Sequence, residues 1–407
     1  MMADKPLQLV PKLRFPEFRD GGEWNTRKFR DVVSRGKETV DPQKSSDIPN
    51  LIELENIESK TGRIPSIDEP KNQISLKSRF QAGDVLFGKL GPYLQKFARP
   101  DSHGVCTSEV WVPRSKAVSS AFLLYLVQTK RFVQLANISS GSRMPRAEWN
   151  YLANADFAIP HPDEQWKIAD FLGSLDDLIA AKGRKLEALR QHKQGLMQQL
   201  FPQAGETVPR LRFPDFRDGP RWDFLTLASA SDVNPSNDGL PELFIYIDRE
   251  SVKSSMLIER KEVTRGAAPS RAQRLLSRKD IILQTVRPYQ RNNFFFDISD
   301  GYKYVASSSY AQIRAHECPE FLYQLLHTDS FVNSVLARCT GSNYPVFNPS
   351  LLASIRVALP RIPEQKKIAD CLSSLDDLIA AEDQKLEALR QHKQGLMPQM
   401  FPDLEMK

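Results

Sequence analysis

The stretch IADFLGSLDDLIAAKGRKLEALRQHKQGLMQQLFP occupies residues 168–202, and it returns as IADCLSSLDDLIAAEDQKLEALRQHKQGLMPQMFP at residues 368–402. Only seven of the 35 aligned positions differ, and the offset is a constant 200 residues. Solenoid repeats have much shorter periods, of about 20 to 50 residues. The chain of 407 residues is therefore interpreted as two copies of one large unit, each ending in the same segment.

Apolar residues recur in this segment with the seven-residue spacing of a coiled coil. Pro162, followed by Asp163 and Glu164, is typical of a helix N-terminus. A helix of about 38 residues would be roughly 57 Å long and needs a partner along its apolar seam. Its own copy is the economical partner, in an antiparallel arrangement, through the seam residues Leu172, Leu175, Ile179, Leu186, Leu189, Leu196, Leu372, Leu375, Ile379, Leu386, Leu389 and Leu396.

The sequence before each helix consists of short apolar runs broken by turn residues, as in strands. DVLFGKL at 84–90 and DIILQTV at 280–286 are examples, and helical spacing follows at 120–137 and 321–338. The predicted fold class is α/β (α+β), with two such domains joined by two long antiparallel coiled-coil helices around a pseudo-two-fold repeat. The predicted division is an extended segment 1–23, a domain 24–161, a helix 162–202, a linker 203–221 that repeats the first segment, a domain 222–361 and a helix 362–402.

The composition is that of a soluble globular protein with a basic balance. A net charge of +6 and a pI near 9.0 are compatible with a polyanionic partner, although the signal is weak alone. No apolar run approaches the roughly 20 residues of a membrane span, and the N-terminus lacks the apolar core of a signal peptide. The four cysteines lack metal-site spacing, so we expect reduced thiols, no metal and a cytoplasmic location: Cys106, Cys318, Cys339 and Cys371.

Catalytic signatures are missing from the sequence. It has no phosphate-binding glycine loop, no zinc-protease motif and no nucleophile elbow. The paired carboxylates of the repeat are expected on a solvated or partner-binding face, away from the seam: Asp176, Asp177, Asp376 and Asp377. The sequence therefore predicts a protein that is not an enzyme.

Polar and aromatic residues cluster at equivalent places in the two domains. One cluster follows the strand at 84–90 or 280–286, and the other surrounds GSRMP at 141–145 or GSNYP at 341–345. Cations neutralise phosphates, and Arg, Gln and Asn read base edges. The candidate DNA-binding residues are Lys89, Tyr93, Lys96, Arg99, Ser142, Arg143, Arg146, Gln284, Arg287, Tyr289, Arg291, Ser342, Asn343 and Tyr344.

The whole chain resembles the specificity subunits of type I restriction-modification systems. The resemblance rests on Q-x-K-I-A-x-x-L-x-S-L-D-D-L-I and L-x-A-L-R-x-x-K-x-G-L-M-x-Q-x-F-P, each present twice, together with LRFPEFRD, DVLFGKLGPYL and GSxxP. It implies two target recognition domains, each reading one half of a bipartite DNA site, and helices that act as a ruler. One departure is Gly91, which stands where the second domain has Arg287 and so lacks a basic contact.

The same resemblance implies partners for the chain. These are double-stranded DNA, two methyltransferase subunits docked on the helices and two restriction/translocase subunits, with no membrane. The partners would carry S-adenosylmethionine, ATP and Mg, methylating adenine N6 or cleaving DNA, while this chain would hold no cofactor. The alternative from a different class is a structural adaptor whose helices assemble proteins and whose α/β domains bind peptide or polysaccharide.

Overall fold

The computed structural model of the protein describes residues 9–45, 50–69, 74–138, 145–203, 205–341 and 344–402. The chain divides into two compact units: the first joins residues 1–183 to residues 384–407, and the second consists of residues 184–383. Each unit contains one α/β domain together with one end of each repeated helix. The duplication in the sequence is therefore repeated in the fold.

The repeated segments are two helices of 39 residues each, as the heptad pattern predicts. Proline occupies the first position of one and the second position of the other, and acidic residues follow in the first turn, which favours a helix N-terminus. In chain order the helices are α1 Phe29–Val32, α2 Ser120–Leu126, α3 Lys130–Ala136, α4 Trp149–Asn154, α5 Pro162–Leu200, α6 Pro319–Leu325, α7 Asp329–Leu336 and α8 Ile362–Met400.

The helical stretch predicted late in each domain is a pair of short helices, α2–α3 in the first unit and α6–α7 in the second. Hydroxyl caps separate the two members of each pair. The Thr129 side chain accepts the N–H of Phe132, and the Thr328 side chain accepts the N–H of Phe331. Such caps satisfy a helix N-terminus that would otherwise lack acceptors.

The α/β domain of the first unit is built from short strands. A four-stranded sheet has the order β3-β5-β8-β4 with β4 and β8 parallel, a three-stranded sheet has the order β7-β6-β9, and β1 pairs with β11 and β2 with β10. Their bounds are β1 Asn25–Lys28, β2 Val33–Arg35, β3 Thr39–Val40, β4 Leu51–Ile52, β5 Lys77–Phe80, β6 Leu86–Gly88, β7 Phe97–Ala98, β8 Gly104–Cys106, β9 Val110–Trp111, β10 Pro113–Ser115 and β11 Asp156–Ile159.

The α/β domain of the second unit is also built from small sheets, but several of its strands are longer. Its two four-stranded sheets have the orders β13-β22-β19-β20 and β17-β14-β21-β18, with β14 and β21 parallel, and β12 pairs with β23 and β15 with β16. Their bounds are β12 Asp223–Thr226, β13 Ser231–Val233, β14 Leu243–Ile247, β15 Val252–Lys253, β16 Met256–Leu257, β17 Lys261–Thr264, β18 Ala272–Leu275, β19 Asp280–Gln284, β20 Phe294–Phe296, β21 Tyr304–Ser307, β22 Tyr310–Ala315 and β23 Arg356–Leu359. The mixed α/β class predicted from the sequence is confirmed.

The long helices run antiparallel within each unit. In the first unit Leu172 of α5 shares a core with Met400 of α8, while Asp176 meets Lys393. In the second unit Lys193 of α5 meets Asp376 of α8. Of the predicted seam residues, four are buried and the rest half-buried: Leu172, Leu186, Leu372 and Leu386, then Leu175, Ile179, Leu189, Leu196, Leu375, Ile379, Leu389 and Leu396.

The prediction that the paired aspartates face solvent is wrong for one member of each pair. Asp176 accepts hydrogen bonds from the Tyr125 hydroxyl and from Lys393, and Asp376 accepts them from Gln324 and Lys193. A lysine in an apolar seam must keep a counter-charge, and this carboxylate supplies it. The following residues, Asp177 and Asp377, are exposed as expected.

The extended segments that precede the domains dock onto the long helices. Arg14 donates from Nε and Nη2 to the two carboxylate oxygens of Glu164, at 2.8 Å each, and the Leu13 N–H donates to the Gln399 carbonyl. Arg212 makes the same paired contact with Glu364, at 2.8 and 2.6 Å. These segments are therefore built into the units rather than acting as plain linkers.

Candidate nucleic-acid interface

The turn after strand β6 has the same shape as the turn after strand β19. In the first unit a 3-10 turn, Pro92–Leu94, lies between Gly91 and Gln95, whose φ angles are +60° and +50°. In the second unit the 3-10 turn Pro288–Gln290 lies between Arg287 and Arg291, with φ angles of +53° and +51°. Left-handed backbone is comfortable for glycine and strained for arginine.

Each turn is fastened to the segment that follows the second polar cluster. The Gly91 N–H donates to the Pro145 carbonyl at 2.8 Å, and the Arg287 N–H donates to the Pro345 carbonyl at the same distance. The two clusters predicted from the sequence are thus brought together in each unit. Of their members, Ser142, Arg143, Ser342 and Asn343 lie outside the described residues.

The first unit exposes only some of its predicted residues. Tyr93 is 56% exposed at the tip of the turn, and Lys89 is half-buried at its base. Arg146 is exposed, but its Nη2 lies 3.3 Å from a Glu109 carboxylate oxygen. Lys96 donates from Nζ to the Leu54 carbonyl at 2.7 Å, so its ammonium group is bound within the domain and the prediction that it contacts DNA is not supported by its position.

Arg99 lies in a different place from this turn. It is exposed and donates from Nε to the Ser120 hydroxyl at 3.3 Å. It also lines a cleft of about 1070 Å³ formed within the first unit by the α/β domain and the long helices. Arg99 therefore faces the helices rather than the Tyr93 turn.

The second unit corrects two predictions about side chains. Gln284 is 1% exposed and donates to the Val286 carbonyl and to Gln290, so it is not part of the surface. Arg291 lies 2.5 Å from Asp329 and also donates to the His327 carbonyl. This ion pair lowers the pKa of Asp329, chiefly through the hydrogen bond from Arg291. Both side chains therefore bind groups inside the unit. The sequence did not show this, because the alternation of residues along a strand does not indicate which residue lies across a turn.

The other described residues predicted in the second unit lie at the surface: Arg287 is half-buried, and Tyr289 and Tyr344 are exposed. Tyr289 is 50% exposed on the turn and Tyr344 is 45% exposed beside it. The Arg287 guanidinium lies over the Tyr344 ring, with Cζ 4.3 Å from the ring centroid. Stacking of this kind fixes the plane of the guanidinium group, while the N–H donors at its edge stay available for hydrogen bonds.

Two arginines that the sequence did not single out join this group. Arg249 donates from Nη1 to the Tyr344 hydroxyl at 2.7 Å. The pKa of Tyr344 is lowered by that hydrogen bond first, and by the nearby charges of Arg249, Arg287 and Arg271. Arg249 and Arg271 lie far from Tyr344 along the chain, and no local motif marks them. We call Arg249, Arg271, Arg287 and Tyr344 the arginine–tyrosine cluster.

The arginines of the arginine–tyrosine cluster form no ion pair with a carboxylate of the described residues. Among the described residues, no Asp or Glu lies within 4.0 Å of the guanidinium nitrogens of Arg249, Arg271 or Arg287. Other arginines of the same unit do have such partners, as Arg314 has with Asp280 at 2.8 Å. Concentrated, unpaired arginine next to exposed tyrosine is typical of a surface that binds nucleic acid.

Neither a metal centre nor a membrane helix is found in the part of the chain that the structure describes. Within that part, no three His, Cys, Asp or Glu side chains group as metal ligands would. No helix there is long and apolar enough to cross a bilayer.

The fold is a duplicated α/β scaffold that carries an arginine- and tyrosine-rich surface in its second unit, and it can be compared with known protein families. The model of the type I restriction modification DNA specificity domain matches residues 22–191 and again residues 242–391. The chain belongs to this family, as the resemblance in its repeats predicts. Each match lies within one copy of the internal repeat.

Curated relatives and solved structures agree with this assignment. The MjaVIII type I restriction enzyme specificity subunit of Methanocaldococcus jannaschii is 21% identical over 331 residues, covering 78% of this chain and 75% of the relative. The HindI specificity subunit of Haemophilus influenzae is 25% identical over 190 residues, covering 46% of this chain and 38% of the relative. The crystal structure of the S subunit from M. genitalium has a TM-score of 0.62 at 14% identity, covering 97% of this chain and all of that one. That last likeness shows the fold alone.

Proposed function

We propose that this chain is the non-catalytic DNA-reading subunit of a type I restriction-modification complex. Each α/β domain reads one half of a bipartite site, and the long helices set the spacing between the halves. The observation that carries the proposal is the duplicated turn, fastened identically by Pro145 and Pro345 and carrying an exposed tyrosine, Tyr93 or Tyr289, in each unit. The scaffold is the same in both units while the side chains differ, as two different half-sites require.

The chemistry of the two surfaces supports direct reading of DNA. Arginine forks recognise guanine edges in the major groove, and cations of either type neutralise phosphates. The second unit presents the arginine–tyrosine cluster, and the first presents Tyr93 with Lys89 and Arg146. Glu109 partly neutralises Arg146, so we expect the first domain to depend less on arginine.

The long helices offer equivalent surfaces to partner subunits. Leu178 and Leu378 occupy the same repeat position and are 43% and 41% exposed, beside exposed Asp177 and Asp377. Exposed leucines on a helix are typical of docking faces. We infer that two methyltransferase subunits bind these faces and that two restriction/translocase subunits complete a cytoplasmic assembly. These partners would carry S-adenosylmethionine, ATP and Mg.

The cleft of the first unit is a second candidate surface for a partner. Phe97, Phe157 and Met397 give it apolar lining, and Lys60, Arg63 and Arg390 line it with positive charge. An adenine must leave the base stack to be methylated, so a catalytic subunit must approach each recognition domain closely. The cleft joins the recognition domain to the docking helices within one unit and suits that approach.

A domain exchange tests the modular reading of DNA. Replacing residues 24–160 with the corresponding domain of another family member should change one half-site and leave the other unchanged. Long-read mapping of adenine methylation in a host carrying the complete system would measure both halves. A change in both halves, or in neither, would contradict the proposal.

An insertion in α5 tests whether the long helices set the length of the nonspecific spacer between the half-sites. Four residues added after Gly183 would lengthen α5 by about 6 Å, which is close to two base-pair steps of the duplex. We expect the nonspecific spacer to grow by one or two base pairs while both half-sites are kept. An unchanged spacer would show that the helices do not set the distance.

Binding measurements separate this function from that of a structural adaptor. A DNA-reading complex should lose affinity for its site steeply as salt rises, because phosphate contacts release counterions. The purified chain alone should transfer no methyl group. Salt-independent binding, or binding to peptide or polysaccharide instead of DNA, would favour the adaptor, and methyl transfer by the chain alone would contradict a non-catalytic role.

A further inference from the structure

The arginine–tyrosine cluster is more than a basic patch, because one tyrosine fixes the orientation of an arginine. We propose that Arg287 reads a guanine in the half-site of the second domain, and that Tyr344 is the positioning residue that holds its guanidinium for this contact. The proposal rests on the function proposed above and goes further, naming a base and the residues that select it.

The backbone of Arg287 is the first observation. Its φ angle of +53° is strained for an arginine, while Gly91 takes the equivalent conformation in the first unit without cost. Folding alone would favour glycine at both positions. Arg287 is half-buried on a turn whose tip, Tyr289, is 50% exposed, and backbone strain kept on such a surface turn is characteristic of functional sites.

The surroundings of the Arg287 side chain are the second observation. Its Nε atom is buried and has no hydrogen-bond partner, and its plane is stacked on Tyr344 at 4.3 Å. The two Nη atoms donate to no residue that the structure describes. Among the described residues the Nη edge therefore has no partner, and a pair of donors in one plane matches O6 and N7 of guanine.

Tyr344 is itself held in place from two sides. The Arg249 guanidinium donates to its hydroxyl at 2.7 Å, and the carbonyl of the next residue, Pro345, accepts the Arg287 N–H at 2.8 Å. A short antiparallel bridge between Val286 and Val346 closes the same loop. The ring is therefore ordered before DNA binds, and less entropy is lost when Arg287 makes its contact.

The carboxylates near the cluster do not neutralise Arg287 in the described part of the unit. Glu250, next to Arg249, makes no salt bridge with it among the described residues, and the nearby Asp248 is bound to Lys261 at 2.7 Å. Arg287 therefore has no carboxylate partner within the described part of its unit. The acceptor atoms of a guanine edge would satisfy it. At the equivalent turn the first unit has Gly91, so the contact should be confined to the second half-site.

The experiment uses the full chain in its complete methyltransferase complex, expressed in a host without other adenine methylation of this type. Long-read sequencing gives the methylated fraction at every single-base variant of both half-sites. Arg287→Lys keeps the charge and removes the planar fork. Tyr344→Leu removes the stacking ring. Each should reduce discrimination at one guanine of the second half-site by about tenfold to a hundredfold, with other positions unchanged.

Two further variants make the test specific. Tyr344→Phe keeps the ring and should retain most of the guanine preference. Arg338→Lys is the matched control, because Arg338 is exposed in the same unit and, among the described residues, its side chain donates only to the Ser334 carbonyl of the preceding helix α7. It should leave the motif unchanged.

Three results would overturn the proposal. They are an unchanged second half-site in Arg287→Lys, an even loss at all positions (a phosphate contact), and a change in the first half-site. Failure of the proposed function would be distinct, because the unsubstituted complex would then show no two-part motif at all.

Discussion

Lys193 Nζ lies 2.6 Å from Oδ1 of Asp376, on the seam between the long helices of the second unit. Heptad counting places this lysine at a core position, where a leucine would be expected. Gln324 donates to the same carboxylate at 2.8 Å. The first unit repeats the arrangement with Lys393, Asp176 and Tyr125. The polar positions of the seam therefore fix which turns of the two helices meet.

The pair should contribute measurably to stability. Lys193→Ala removes a charge-assisted hydrogen bond from a seam where the lysine side chain is only 17% exposed, and we expect a loss of about 1 to 3 kcal/mol in the free energy of unfolding. Urea unfolding of the full chain measures it, and a double-mutant cycle with Asp376→Ala isolates the coupling. Arg190→Ala is the control, because its ion pair with Asp383 is more exposed and should cost less than about 1 kcal/mol. Equal effects would contradict a special role for Lys193.

The buried pair of Arg212 and Glu364 should be more sensitive to single substitutions. The two side chains are 6% and 4% exposed, so Arg212→Ala leaves a carboxylate buried without its partner. We expect a loss of about 3 to 5 kcal/mol. Replacing both residues together, with Arg212→Met and Glu364→Leu, should cost less than the single change. A double variant as unstable as the single one would show that packing of the extended segment, rather than the unpaired charge, causes the loss.

His327 should make the second unit sensitive to acid. Burial lowers its pKa to about 4, and its Nδ1–H donates to the Tyr323 carbonyl at 2.8 Å. The unfolded chain takes up a proton near pH 6.5 while the folded chain does not, so stability falls as pH drops from 6.5 toward 4. The loss attributable to this residue between pH 6.5 and 5 is about 2 kcal/mol.

The duplicate position supplies a matched replacement for His327. Gln128 in the first unit bonds the carbonyl four residues earlier in the same way, at 2.7 Å to Leu124. His327→Gln should therefore be close to the parent chain in stability at pH 7.5 and clearly more stable relative to it at pH 5. Denaturant unfolding at the two pH values tests this. Parallel pH curves for both proteins would mean that His327 is not the group that titrates.

A half-length chain should pair with itself. Because Lys193–Asp376 and Lys393–Asp176 are the same contact made twice, a fragment of residues 1–203 should form a homodimer in which Lys193 of each copy meets Asp176 of the other. Light scattering gives the mass. Lys193→Glu should weaken the dimer, and adding Asp176→Lys should restore it. A fragment that stays monomeric and folded would contradict the prediction.

The predicted homodimer of this fragment would contain one unfavourable contact between like charges. In the second unit Lys185 lies 3.0 Å from Glu382, which is buried, but the first repeat has Lys182 at that position. In the homodimer Lys185 would approach a lysine and not a carboxylate. Lys182→Glu should therefore tighten the dimer, measured as a lower dissociation constant. The control, Lys182→Gln, should have an intermediate effect, because it removes the repulsion without adding an attraction.

Local sequence patterns determined the large-scale plan of this protein. The repeat, the seven-residue spacing and the strand-like runs predicted two α/β domains and two long helices, and the structure confirms each. DVLFGKL at 84–90 contains β6 and DIILQTV at 280–286 contains β19. Such patterns can be read from the sequence because helix and strand periodicities repeat within a few residues. The duplication helps as well, because the two copies can be aligned with each other.

Tertiary structure alone decided which polar side chains meet. Asp176 is bound by Lys393, 217 residues away, and Tyr344 by Arg249, 95 residues away. Gln284 and Lys96 resembled surface residues, yet their polar ends bind carbonyl groups inside the domains. The spacing of residues along the chain gives the face of a helix or strand. It does not give the partner across a turn or a seam, because that partner is chosen by packing and by the cost of burying an unpaired charge.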